Sequence, residues 1–185
     1  MSITESPSDL VPVPSVIVAV VTDLVTGPWP AGEDERESLF KRLGFKSGAR
    51  VELGRDASGS EMFELSTELP GQLSANWQAY HGKFMGVFFN PYSFIEPDVP
   101  AAHRGHDEIW HKLKGLYGQP TRPWNNEEVP PSIWKVNGRD IVMHYFNTLH
   151  SGMLLSITDT ALSEAAEAEA QNDWAKRSGE TNEPA

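Results

Sequence analysis

The chain has 185 residues, of which 39% are hydrophobic, and it carries a formal net charge of −11. That length suits one domain and is sufficient to bury a core. There is no cysteine, which rules out a disulfide scaffold, a thiolate metal site and a cysteine nucleophile, and suits a reducing cytoplasm.

The charge is unevenly placed. Residues 1–37 hold seven acids and one base, residues 159–185 hold seven acids and two bases, and residues 38–158 are balanced. Nucleic acids and anionic membranes are bound through clustered Lys and Arg, so neither is an expected partner. A protein with a basic face fits, although acidic ends also serve solubility alone. The longest apolar stretch, 16–21, ends at Thr22-Asp23 and is too short to span a bilayer. No Lys or Arg precedes it, so it does not read as a signal peptide either, and the expected location is cytoplasmic.

In chain order, residues 1–14 are rich in Pro, Ser and acids and read as a disordered lead-in. A single α+β domain is expected over 15–158. Its first helix, 15–26, starts after Pro14 and stops at Gly27-Pro28. A second helix, 33–43, has Glu33, Asp34, Glu35 and Glu37 in its first turn, Lys41 and Arg42 in its last and Gly44 as C-cap, the polarity that complements the helix dipole. Strands follow at 50–55 and 61–67, and pairing Leu53 with Phe63 and Val51 with Leu65 gives one apolar face.

A second hairpin spans 74–89. A two-residue turn at His81-Gly82 would set Ala79 opposite Phe84, Trp77 opposite Gly86 and Ala75 opposite Phe88, each a small residue beside a large one. A proline-rich loop, 90–100, leads to a helix over 102–117 with Ile109, Trp110, Leu113 and Leu116 at helical spacing, ended by Gly118 and Pro120.

The clearest local signal is Asn137-Gly138, between two apolar runs over 132–147. Both central residues of a type I′ hairpin turn need φ > 0, which Asn and Gly tolerate. This register places Val136 opposite Arg139, Lys135 opposite Asp140, Trp134 opposite Ile141 and Ile133 opposite Val142. A last strand, 152–158, follows Ser151-Gly152. An acidic Ala/Glu-rich helix is expected over 160–177, within a segment 159–178 whose large apolar groups are Leu162 and Trp174. A disordered tail is expected over 179–185. The sum is a mostly antiparallel sheet of six to seven strands flanked by four helices.

Several constellations bear on chemistry. His103, Asp107 and His111 recur every four residues on the third helix, with His106 a turn away, as a divalent-metal site begins. Their stripe lies opposite Ile109 and Leu113, so it is expected to face water as a solvated surface and to hold no metal or other cofactor. His144, beside Tyr145 in a strand, could serve as a general base, but a strand histidine is more simply a hydrogen-bonding group. No phosphate-binding Gly-rich loop or nucleophile elbow occurs, and no catalytic residue is assigned.

Aromatics in loops are the candidates for partner binding. Tyr92 and Phe94 lie in a proline-rich loop, and Trp124 lies in another, beside Glu127 and Glu128. Loop aromatics often dock on their own core. Rigid aromatic area is also what interface hot spots use, and acids around it suit a basic protein surface. Trp124, Glu127 and Glu128 are the first candidates, Tyr92 and Phe94 the second.

In size, charge and layout the chain resembles the immunity proteins of bacterial polymorphic toxin systems, which neutralise a cognate toxin. Over residues 100–158 it also looks like an uncharacterised bacterial family in which a helix ends in a Tyr-Gly-x-Pro turn (Tyr117-Gly118-Gln119-Pro120) before a Trp-bearing hairpin (Trp134 to Tyr145). Neither resemblance carries a functional residue over. The first implies a non-catalytic protein-binding role. A secretion chaperone is the alternative, since type III chaperones are small and acidic and run α-βββ-α-ββ-α. A metal-dependent hydrolase using His103, Asp107 and His111 is the third reading.

Overall fold

The computed structural model describes residues 10–52, 59–71, 73–122 and 130–180, with side chains described as far as Lys176. Helices α1 (Pro14–Thr26) and α2 (Glu33–Leu43) precede four strands, β1 (Phe45–Val51), β2 (Ser60–Thr67), β3 (Ser74–Tyr80) and β4 (Lys83–Asn90). Helix α3 (Pro100–Tyr117) then leads to β5 (Ser132–Val136), β6 (Arg139–Phe146) and β7 (Gly152–Asp159), and α4 (Thr160–Glu180) follows. All seven strands form one antiparallel sheet in the order β1-β2-β3-β4-β7-β6-β5. This is the α+β class expected from the sequence. Among the described residues, no helix is long and apolar enough to cross a membrane.

Alternation along the strands sorts the two faces. Trp77, Phe84, Val87, Phe89, Ile141, Met143, Leu155 and Ile157 turn to one face, where they pack with Val21 and Val25 of α1, Phe40 of α2 and Ile109 and Leu113 of α3. Residues of the other parity turn away from this core. Tyr80 reaches the Ala165 carbonyl of α4, and Lys135 reaches Glu164, so α4 meets the second face.

The β5–β6 hairpin has the expected register, with Asn137 at φ 51° and Gly138 at φ 75°. In the β3–β4 hairpin the His81-Gly82 turn and the Ala79–Phe84 pair are also as expected. Beyond them the register departs from expectation. A β-bulge at Gln78/Ala79 leaves Met85 as the extra residue, so Gln78 pairs with Gly86, Trp77 with Val87 and Ala75 with Phe89. Trp77 therefore lies opposite Val87 and not over the bare backbone of Gly86.

The first hairpin departs further. Gly44 caps α2 in the left-handed conformation (φ 67°), which only glycine adopts at little steric cost, and the chain enters β1 at once. Ser47 pairs with Leu65 and Val51 with Met62, across a bulge between Ser47 and Arg50. The expected strand at 50–55 thus begins five residues early, and Leu53 and Arg55 lie outside the described residues. The polar run Lys46-Ser47-Gly48-Ala49 hides an edge strand, because no neighbour strand buries its outer side.

The ends differ too. Leu10 is buried in the core, so part of the expected lead-in packs on the domain. Helix α4 runs on to Glu180, past the expected start of the tail. On α3, Ile109 and Leu113 are buried as the spacing implied, whereas Leu116 is largely exposed.

Candidate functional site

The strands all run antiparallel, so the sheet has two distinct ends. The tight turns at His81-Gly82 and Asn137-Gly138 lie at one end, together with the β7-to-α4 junction. The loop after β4 (91–99) and the loop between β6 and β7 (147–151) lie at the other, beside the start of α3.

These two loops are joined to each other. Phe94 and Ser151 form an antiparallel bridge, with the Phe94 N–H donating to the Ser151 carbonyl at 2.8 Å and the Ser151 N–H donating to the Phe94 carbonyl at 3.2 Å. The Ser151 N–H also donates to the Glu96 carbonyl at 2.9 Å, and the Val99 N–H donates to the Ser151 hydroxyl at 2.8 Å. Asn147 Nδ2 donates to Asp98 Oδ1 at 3.0 Å. Ser151 is fully buried at the centre of this network.

Tyr92, a candidate for partner contact, is directed inward instead. It is 5% exposed, and its hydroxyl donates to the Pro12 carbonyl. Its ring lies where a side chain at Gly105 would be, so the bare Gly105 backbone makes room for it. Burial pushes the Tyr92 phenol well above its ordinary pKa, with the Glu108 carboxylate adding to the shift. Phe94 is half-buried against the core. The two aromatics fasten the loop down, which is the simpler of the two readings of loop aromatics. What stands free is aliphatic: Ile95 is 89% exposed and Leu149 85%. Glu96 and Asp98 beside them are exposed as well. Sequence reasoning passed over Ile95 and Leu149 because it weighted aromatics. The available signal was a large aliphatic residue within a loop, Ile95 in 91–99 and Leu149 in 147–151. Trp124, Glu127 and Glu128 lie outside the described residues.

On α3, His103 and His111 are exposed and Asp107 is half-buried. Asp107 accepts the Nδ1 N–H of His103 at 3.1 Å and of His106 at 3.0 Å. His111 Nδ1 donates to the Asp107 backbone carbonyl at 2.7 Å. His106 is 8% exposed rather than in water, and its ring centre lies 5.3 Å from that of Tyr145 on β6. Burial lowers the His106 pKa, against the opposing pull of Asp107. Among the described residues no three His, Asp or Glu side chains come together to hold a metal. His144 is half-buried on the opposite face from the core, paired with Leu154.

A third cluster fixes α4. The Tyr80 hydroxyl donates to Glu169, and His81 Nε2 lies 3.0 Å from the same carboxylate. The bond to Glu169 raises the Tyr80 pKa above that of a free phenol. At the start of α4, Lys135 joins Asp140 at 3.4 Å and Glu164 at 3.2 Å. Farther along the helix Trp174 is 72% exposed.

No protein-family model matches the chain, and no curated protein or solved structure matches it.

Proposed function

We propose that the chain is a protein-binding protein, and that it acts as an immunity protein which neutralises a cognate toxin by direct contact. One observation carries this reading: large apolar side chains stand in water beside carboxylates. Ile95 and Leu149 do so at one end of the sheet, and Trp174 does so on an acidic helix. Apolar anchors with an acidic surround are what a basic protein surface would meet. A toxin that acts on nucleic acid has such a surface, because its substrate is a polyanion. The same charge disfavours nucleic acid and anionic membranes as partners, and a cytoplasmic location follows from the role.

A secretion chaperone is the second reading. The observed order α-α-ββββ-α-βββ-α contains the α-βββ-α-ββ-α order of type III chaperones, with one more strand in each run and one more helix.

Co-expression separates the two readings. With the toxin domain encoded beside this gene, the intact chain should restore growth and copurify at a fixed ratio. Growth arrest that persists with the chain present, together with loss of secretion of a neighbouring effector when the gene is deleted, would favour the chaperone.

A further inference from the structure

Resting on the reading of this chain as a protein-binding protein, we propose that the paired loops 91–99 and 147–151 are its docking platform. The partner surface they take is a shallow apolar pocket rimmed by Lys and Arg. Ile95 follows Phe94 directly and Leu149 precedes Ser151 by two residues, so each exposed side chain lies within two residues of the bridge that joins the loops. The backbone bonds through Ser151, the Asn147–Asp98 bond and the inward Tyr92 hold the platform in shape before any partner arrives. Little loop ordering then remains to be done on association.

The occupant follows from charge. Glu96 and Asp98 flank the two aliphatic side chains, so two copies of the chain meeting here would bring like charges together, on molecules already at −11. A membrane surface rich in anionic lipid is opposed by the same carboxylates. Basic groups around an apolar pocket satisfy both features at once.

The test uses the full chain and the protein that it captures from lysate of its source cells, purified. Binding kinetics are measured for the intact chain, for Ile95→Ser with Leu149→Ser, for Glu96→Lys, for Trp174→Ala and for Trp124→Ala. Both aliphatic positions are exposed, so the double variant should melt with the parent, which thermal unfolding checks. The proposal expects the double variant to dissociate roughly 30-fold faster or more, as loss of an interface anchor does. Glu96→Lys should associate more slowly, and Trp174→Ala should dissociate more slowly than the double variant does. Unchanged binding by the double variant, with loss in Trp174→Ala or Trp124→Ala, overturns the platform and leaves the protein-binding reading standing. A concentration-dependent dimer of the chain that the double variant abolishes also overturns it, since the occupant would then be a second copy. A lysate that yields no saturable partner overturns the reading and the platform together.

Discussion

Three contacts of different kinds meet on the indole of Trp77. Phe63 stacks on it at 4.3 Å between ring centres, nearly parallel at 11°. The Arg36 guanidinium lies 4.5 Å from its ring centre, and Nε1–H donates to the Ser47 hydroxyl at 2.9 Å. Trp77→Ala should therefore destabilise the fold by ~3–5 kcal/mol in denaturant unfolding, as truncation of other core aromatics does. A variant that melts within a degree or two of the parent would contradict this packing. Gly86→Val should also be harmful, for a reason unrelated to Trp77. A Cβ at Gly86 would press on the Ile157 carbonyl and lie 2.7 Å from Thr158 Cγ2, forcing β4 away from β7.

His106 supplies the pH dependence at this scale. Its folded pKa is lowered by burial, so the unfolded chain binds its proton more readily. The stability it contributes is whole above the unfolded value of about 6.5 and declines as pH falls through the folded value. Replacing it with Leu should flatten the acid side of the stability–pH curve. A His106→Leu variant with the parent's slope between pH 7 and 5 would show that another group sets it.

Among the elements, α4 is the one held by polar contacts at a few points. Its middle is tied to the sheet by Tyr80 and His81 through Glu169, and its start by Lys135 through Glu164. Tyr80→Phe removes one hydroxyl and leaves the ring. Amide hydrogen exchange should quicken over 162–173 and stay unchanged in β6 and β7. Equal quickening throughout would mean that α4 opens only with global unfolding.

The elements were legible in the sequence wherever a turn residue or a helix terminus dictated the backbone. Asn137-Gly138 set a register that the structure repeats pair for pair. The dipole-matched charges of 33–43 gave both ends of α2. What escaped was set by neighbours outside the local stretch. The bulge that moves Trp77 from Gly86 to Val87 leaves no mark in the sequence, since residues 84–89 are apolar or glycine throughout and no alternation says that Phe89 rather than Phe88 turns to the core. β1 escaped because an edge strand needs little apolar content. The loop end was legible as a place and not as a set of residues. Whether an aromatic in 91–99 turns inward depends on the Gly105 backbone and the Pro12 carbonyl, both distant in sequence.

At the scale of the whole molecule, balanced charge over 38–158 and acid towards both ends of the sequence sum to −11, a net charge that attracts a basic partner. Such a charge speeds the encounter with a basic partner and is screened by salt, whereas apolar anchors govern how long the complex lasts. The two effects separate in kinetics. Glu127→Lys with Glu128→Lys should slow association and leave the dissociation rate near the parent's, whereas Ile95→Ser with Leu149→Ser should mainly raise the dissociation rate.

The most direct test of a basic protein partner is the association rate of the intact chain with its captured partner at about 0.01 M and about 0.15 M salt, where the screening length shrinks from roughly 30 to 8 Å. The account predicts a steep fall in association rate, with the dissociation rate little changed. An association rate that is the same at both salt concentrations would contradict it.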